Sequence, residues 1–149
     1  MKKVMFICSG NTCRSPMAEA LMRRELAVQA VQGIEVVSAG ACIWPDDVAA
    51  PDTVEEMKRF GIDLSGRKAV QVTGAMLAEC DLVLAMTHGV AHYVTDLVPE
   101  GAATQVMSLG DFLGTGEEVD DPYGCDEEVY HATADQIDGL LEKLLAKIG

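Results

Sequence analysis

The stretch VMFICSGNTCRSP, residues 4–16, places an apolar run directly before a turn that is rich in chemically reactive side chains. The apolar run is typical of a buried β-strand. Gly10 and Asn11 are residue types that readily adopt left-handed backbone angles, so the chain can curl where they stand. Ser15 suits the N-cap of a helix and Pro16 suits its first position. The pattern therefore predicts a strand, a tight loop and a helix in succession.

Strand-like and helix-like segments alternate along the rest of the chain. The predicted strands are residues 3–8, 34–38, 81–86 and 105–109. The predicted helices are residues 16–31, 52–60, 87–97 and 127–148, with Val28 and Val31 on the apolar face of the first. This alternation favours an α/β fold, a four-stranded parallel sheet with helices on both faces. Because no repeat or linker interrupts the 149 residues, we expect a single domain over residues 1–149.

Composition limits the compartment and the partners. The net charge of −13 argues against nucleic acid and against an anionic membrane as partners. Five cysteines, with no zinc-like spacing, fit a reduced compartment better than a disulfide framework. The N-terminal apolar run is shorter than the core of a signal peptide, so we expect a cytoplasmic protein.

The loop after the first strand has the features of a phosphate-binding site. A loop that runs from a strand into a helix directs backbone N–H groups and a helix N-terminus at one point, and both favour an anion. Arg14 can hold two oxygens of a phosphoryl group. The same surroundings stabilise a thiolate at Cys8, where the loop begins. We therefore expect a thiolate beneath a bound phosphate, placed for nucleophilic attack on phosphorus.

These residues resemble a known signature. The string CSGNTCRSP, residues 8–16, is similar to that of the low-molecular-weight protein tyrosine phosphatase family, and DPY, residues 121–123, is similar to the family's second motif. Residues 38–40 and 81–88 resemble the family as well, so the resemblance covers nearly the whole chain. The bacterial protein-arginine phosphatases are the most similar subgroup, because they share threonine at Thr12.

The resemblance implies a role for each motif residue. Cys8 would be the nucleophile, Arg14 would bind the phosphoryl group, and Asp121 would act as general acid and then as general base. It also implies a set of substrate-binding residues: Ser9, Gly10, Asn11, Thr12, Cys13, Ser15 and Tyr123. No cofactor is implied.

Several alternatives remain open from the sequence. The leading function is hydrolysis of phosphoarginine in proteins through a cysteinyl-phosphate, and hydrolysis of phosphotyrosine is the main alternative. Arsenate reductase and a cysteine phosphocarrier rank lower, because the segment after the third strand has no cysteine and because Asp121 would be superfluous in a carrier. His88 and His92 have no evident third ligand, so we expect no metal site. Cys13 would either pack in the core or pair with Cys8 on oxidation.

Overall fold

The computed structural model describes residues 2–149 and has a parallel sheet at its centre. The four strands are β1 (Lys2–Cys8), β2 (Ile34–Gly40), β3 (Leu82–Ala85) and β4 (Gln105–Ser108). They lie in the order β2-β1-β3-β4, and every neighbouring pair is parallel. The six helices are α1 (Arg14–Val28), α2 (Pro51–Lys58), α3 (Gly74–Ala78), α4 (His88–Thr95), α5 (Leu109–Phe112) and α6 (Glu127–Ile148). The predicted α/β fold is confirmed.

Alternate residues of the central strands pack into two separate cores. Val4 and Phe6 of β1 lie in the core that α1 and α6 cover. Met5 and Ile7 lie in the core on the opposite face, with Leu77 of α3 and Val94 of α4. Since successive side chains of a strand point to opposite faces, a nearly continuous apolar strand needs helices on both sides. The sheet is therefore covered on both faces, as its sequence predicts.

The first helix differs from its prediction at both ends. It begins at Arg14, and the residue before it, Cys13, makes no side-chain capping bond. Ser15 is therefore inside the helix and is not its N-cap, because its hydroxyl bonds to the Cys8 sulfur instead. At the other end the helix stops at Val28, whose side chain is 70% exposed, so the predicted apolar position there is wrong. The chain leaves the helix through Ala30, which has a φ of 54°.

Two short helices were not expected. Helix α3 begins after Thr73, whose side chain accepts a hydrogen bond from the third residue beyond it, and α5 begins in the same way after Ser108. Helix α5 lies between the fourth predicted strand and the last predicted helix, where no element is predicted, and it shortens β4 by one residue. None of the helices in residues 2–149 is long and apolar enough to cross a membrane.

The backbone of residues 109–121 folds closely on itself. A Cβ on Gly110 would overlap the backbone carbonyl oxygen of Glu117 and come within 2.7 Å of its backbone nitrogen. The carbonyl of Gly110 also accepts hydrogen bonds from Thr115 and Gly116. Only glycine lets these two stretches approach so closely, and the approach directs the chain toward Asp121.

We therefore expect Gly110→Ala to lower the free energy of unfolding by about 1–3 kcal/mol, because the added carbon has no space. Urea denaturation measures the change. Gly139→Ala is the matched control, since a Cβ at this helical position meets nothing within 4 Å. That control should stabilise the protein by about 0.5–1 kcal/mol. Equal effects of the two substitutions would contradict the close packing at Gly110.

Candidate active site

The loop of residues 9–13 curls around the carboxyl end of β1. Its carbonyl groups are used by neighbouring segments: Ser9 accepts from Cys42 at 2.9 Å, and Thr12 accepts from Ala50 at 3.0 Å. Within residues 2–149, the backbone N–H groups of residues 9–13 donate no hydrogen bond to a protein acceptor. Cys8 and all five loop residues line one cavity. Unpaired N–H donors around a cavity are the arrangement that binds an anion.

Asn11 holds the loop in this conformation. Its backbone has a φ of 56°, a left-handed angle that asparagine tolerates better than most residues. Its side chain is fully buried, and its Oδ1 accepts hydrogen bonds from the backbone N–H of Val70 at 2.9 Å and from Arg67 at 3.0 Å. Its Nδ2 donates to Ser15 at 2.7 Å and to Ser38 at 3.2 Å. The Asn11 amide therefore joins the loop after β1 to α1, to β2 and to the segment that contains Arg67 and Val70.

The directions of the hydrogen bonds of the Asn11 side chain can be assigned. A backbone N–H only donates, so the bond from Val70 fixes which end of the Asn11 amide is oxygen. The amide nitrogen then donates to Ser15 Oγ, which leaves the Ser15 hydrogen free for another acceptor. Cys8 Sγ lies 3.0 Å from Ser15 Oγ, and the carbonyl of Ala39 lies 3.4 Å away. The Ser15 hydroxyl can therefore donate either to the Cys8 sulfur or to the Ala39 carbonyl, and the contact with the sulfur is the shorter of the two.

A buried charged group completes the network. Ser38 Oγ lies 2.6 Å from Glu19 Oε1 and donates to it, since an ionised carboxylate only accepts. Arg67 Nη2 donates to the same Glu19 oxygen at 3.2 Å and to Ser38 at 2.6 Å. Arg23 pairs with the second oxygen of Glu19 at 2.7 Å. Two arginines thus neutralise the buried carboxylate, as a charge in the interior requires.

Arg14 lies at the base of the cavity with one nitrogen unpaired. Its side chain is about 6% exposed, and its Nη1 donates to the carbonyl of Val119 at 3.1 Å. Its Nη2 lies 3.8 Å from a carboxylate oxygen of Asp121. Its Nε is buried and has no hydrogen-bond partner within residues 2–149. A buried N–H without a partner is costly, so this one points to a ligand acceptor in the cavity.

Asp121 lies on the opposite wall. Its carboxylate is 52% exposed and accepts a hydrogen bond from the backbone N–H of Tyr123 at 3.1 Å. The Tyr123 ring and the Trp44 ring stand at the cavity mouth, with 69% and 79% of their surfaces exposed. The cavity has a volume of about 270 Å³, and its lining contains every predicted site residue except Ser15. Ser15 lies beneath it and reaches it only through Cys8.

Besides the bond from Arg14 to Val119, several hydrogen bonds attach the loop that carries Asp121 to the rest of the fold. Val119 N–H donates to the carbonyl of Met86 at 3.0 Å. Gln136 donates to the carbonyl of Glu118 at 2.9 Å. His88 bonds to Glu118 at 2.7 Å and to Asp111 at 3.1 Å. The bond to Asp111, followed by the bond to Glu118, raises the pKa of His88. The ionic contribution of these bonds is therefore fully present below the ordinary histidine pKa near 6.5 and is lost as the pH rises through the raised value, where the neutral ring keeps a single N–H donor.

Cys13 packs in a small buried cluster behind the loop. Its sulfur lies 3.4 Å from the hydroxyl of Tyr130, and Ala50 completes the cluster. Burial and the contact with Cys13 raise the pKa of Tyr130, so that side chain remains a neutral phenol. Cys8 and Cys13 are both free thiols that line the same cavity. A disulfide between them on oxidation stays a prediction.

Comparisons with known proteins agree with this geometry. The family model described as low molecular weight phosphotyrosine protein phosphatase matches residues 3–149. The chain is 33% identical over 147 residues to a protein named protein-arginine-phosphatase from Geobacillus stearothermophilus, covering 98% of this chain and 95% of the relative. The chain belongs to the low molecular weight phosphotyrosine protein phosphatase family.

Two solved structures of the family have the same fold. A low molecular weight protein tyrosine phosphatase from T. tengcongensis superposes with a TM-score of 0.91 at 36% identity, covering 99% of this chain and 100% of that one. A mutant of YwlE arginine phosphatase with a phosphorylated active-site serine gives a TM-score of 0.90 at 31% identity, covering 98% and 95%. Members named for phosphoarginine and for phosphotyrosine thus share this architecture.

The residues that support the loop of residues 9–13 from outside carry no signal in the sequence. Glu19 lies on the predicted polar face of α1 although it is buried. Arg67 stands in an irregular segment with no motif, 56 residues from its partner Asn11. Asp47 and Cys42 line the cavity from the loop after β2. No local pattern marks any of these side chains, because their roles depend on contacts between distant segments.

We expect Arg67→Met to lower the free energy of unfolding by about 2–4 kcal/mol, because it removes bonds to Asn11, Ser38 and Glu19 together. It should also weaken the binding of inorganic phosphate, since the loop loses its support. Chemical denaturation and calorimetric titration measure the two effects. Lys68→Met is the matched control: its side chain is exposed, and stability should change by less than about 0.5 kcal/mol. A normal phosphate affinity in Arg67→Met would show that the loop holds its shape without this network.

Proposed function

We propose that this phosphatase hydrolyses phosphoarginine in proteins through a cysteinyl-phosphate intermediate. The observation that carries the choice of substrate is the position of Thr12. Thr12 belongs to the loop that lines the catalytic cavity, and its hydroxyl has only a loose contact, 3.8 Å from the Cys13 sulfur. The hydroxyl is therefore available to a substrate group next to the phosphorus.

Phosphoarginine and phosphotyrosine present different atoms to Thr12. The guanidinium of phosphoarginine is slim and carries N–H donors beside the phosphorus, so the hydroxyl can accept one of their hydrogen bonds. Phosphotyrosine presents an ether oxygen on a thick apolar ring. An aliphatic residue at this position would leave the guanidinium donors unpaired, at a cost of about 1–3 kcal/mol. The relatives named protein-arginine-phosphatases support the same choice.

In the first step the Cys8 thiolate attacks phosphorus. The S–P bond forms while the N–P bond breaks, and Asp121 gives its proton to the departing guanidine nitrogen. The loop N–H groups and the Arg14 guanidinium bind the phosphoryl oxygens, whose charge is spread over the equatorial positions in the transition state. The unpaired Arg14 Nε supports this role, since it supplies a donor that the protein itself does not use.

In the second step water attacks the phosphocysteine. Asp121, now ionised, takes a proton from the water as the O–P bond forms and the S–P bond breaks. The sulfur leaves as a thiolate, and the Ser15 hydroxyl donates a hydrogen bond to it across the 3.0 Å contact. Phosphate is released and Asp121 is protonated again, which returns the enzyme to its starting state.

Phosphotyrosine hydrolysis is the second candidate, and a specific observation favours it. The exposed rings of Trp44 and Tyr123 at the cavity mouth could stack on a phenyl ring. Side-by-side turnover of phosphoarginine and phosphotyrosine peptides by the wild-type protein tests the two functions directly. Efficient turnover of phosphotyrosine with none of phosphoarginine would establish the second candidate. In either case the substrates are phosphorylated proteins, and we propose a cytoplasmic location.

Removal of the acid should affect substrates according to their leaving groups. We expect Asp121→Asn to slow phosphoarginine hydrolysis by roughly 10²- to 10⁴-fold, because a strongly basic guanidine must be protonated as it leaves. Hydrolysis of p-nitrophenyl phosphate, whose leaving group is stable as an anion, should fall much less. Steady-state kinetics on both substrates give the comparison. The control is Asp120→Asn, which removes the same charge from an exposed neighbour. Equal losses on the two substrates would exclude Asp121 as the acid.

The specificity of Thr12 is tested by enlarging it. Thr12→Ile removes the hydroxyl and adds apolar surface, so the ratio of phosphoarginine to phosphotyrosine turnover should fall by roughly 5- to 150-fold. Competition between the two peptides in one reaction measures that ratio. Thr12→Ser, which keeps the hydroxyl, should retain most of the preference. A ratio that is unchanged in Thr12→Ile would remove the argument for phosphoarginine.

A further inference from the structure

A second, smaller cavity adjoins the catalytic one. It has a volume of about 110 Å³ and shares three lining residues with the catalytic cavity: Thr12, Asp47 and Tyr123. Its remaining walls come from apolar residues at the end of the loop before α2 and at the first position of that helix: Val48, Ala49, Ala50 and Pro51. When the phosphoryl group of a substrate lies above Cys8, a neighbouring residue of the substrate can therefore contact this smaller cavity next to the three shared residues.

The carboxylate of Asp47 places a negative charge where the two cavities meet. Its backbone N–H donates to Trp44 at 3.2 Å, and its carbonyl accepts from Ala69 at 2.9 Å. Its Oδ1 accepts from the backbone N–H of Val48 at 3.0 Å, which orients the carboxylate. Among residues 2–149, no lysine, arginine or histidine nitrogen lies within 4.0 Å of that carboxylate. The half-buried charge is therefore left without a protein cation.

The surroundings of Asp47 match one class of ligand. The exposed faces of Trp44 and Tyr123 attract cations through their π-systems. The alanine and valine side chains of the smaller cavity match an aliphatic stem, and long basic side chains lay such stems on apolar surface. A carboxylate, two aromatic rings and a small apolar floor together fit lysine or arginine, and they disfavour aspartate or glutamate.

We propose that Asp47 selects protein substrates in which a lysine or arginine stands next to the phosphorylated residue. The stem of this basic residue packs against Val48 and Pro51, the exposed residues of the apolar wall, and its charged head pairs with Asp47. The proposal goes beyond the proposed function, because it concerns the neighbouring residue and holds for phosphoarginine and phosphotyrosine alike.

Two series of phosphopeptides test it, one with phosphoarginine and one with phosphotyrosine. Each series carries lysine, glutamine or glutamate at the position before or after the phosphorylated residue. In wild-type protein we expect kcat/KM to be about three- to tenfold higher for lysine than for glutamine at one of the two positions, mainly through KM. The preference should shrink in 0.5 M salt, roughly five times the ionic strength at which the Debye length is about 10 Å.

Variants separate Asp47 from the general acidity of the protein. Asp47→Asn keeps the acceptor for Val48 and should bring the lysine-to-glutamine ratio to about one, and Asp47→Lys should shift the preference toward glutamate. The matched control is Asp46→Asn, which removes the same charge one residue away. Asp46 lines neither cavity, and its φ of 62° is tolerated by asparagine. This control should keep the wild-type ratio.

Several outcomes would overturn the proposal: equal turnover of the three peptides by the wild type, a preference that persists in Asp47→Asn, or an equal loss in Asp46→Asn. Failure of the proposed function gives a different result, since phosphoarginine peptides would then be inert while the phosphotyrosine series still reports the ratio. Binding of the same peptides to Cys8→Ser protein, followed by calorimetry, gives the ratio without any turnover.

Discussion

The active site depends on the hydrogen bonds of one side-chain amide. The loop after β1 presents to the cavity backbone N–H groups that no protein acceptor within residues 2–149 satisfies. Asn11 holds the loop in this conformation, because four hydrogen bonds fix its side chain and a left-handed backbone angle sets the curl. The energy of the distant network thus keeps the anion site open.

The same network extends to the sulfur of Cys8. The Val70 N–H fixes the orientation of the Asn11 amide, and the amide nitrogen donates to Ser15, so the Ser15 hydrogen is free for the Cys8 sulfur or the Ala39 carbonyl. The phosphate-binding loop and the hydroxyl beside the sulfur are therefore held by one set of contacts. The charge of the whole protein works in the opposite direction, since −13 repels phosphate at a distance. Short-range donors at the loop overcome this field only within the cavity.

The sequence predicted those parts of the site whose residues are close together in the chain. The strand, the loop and the motif residues from Cys8 to Arg14 are adjacent in the chain, so their types and spacing sufficed. Ser15 was misplaced because a serine before a proline also suits an N-cap, and only the position of Cys8 decides between the two roles. Glu19 and Arg67 were missed because they are each other's partners and stand 48 residues apart in the chain. Helix α5 was missed because glycine at its second position usually marks a loop.

Val119 positions both Arg14 and Asp121. Its N–H bonds to Met86 at the end of β3, and its carbonyl accepts from Arg14. Asp121 follows two residues later, so its distance from Arg14 is set by a backbone that the sheet itself anchors. In the proposed reaction Arg14 holds the phosphoryl group and Asp121 protonates the group that leaves it. A shift of Val119 would move both relative to Cys8. Because a misplacement of about 1 Å can cost 10²-fold in rate, attaching the acid loop to the sheet and to the phosphate-binding arginine through one residue fixes the geometry that this chemistry needs.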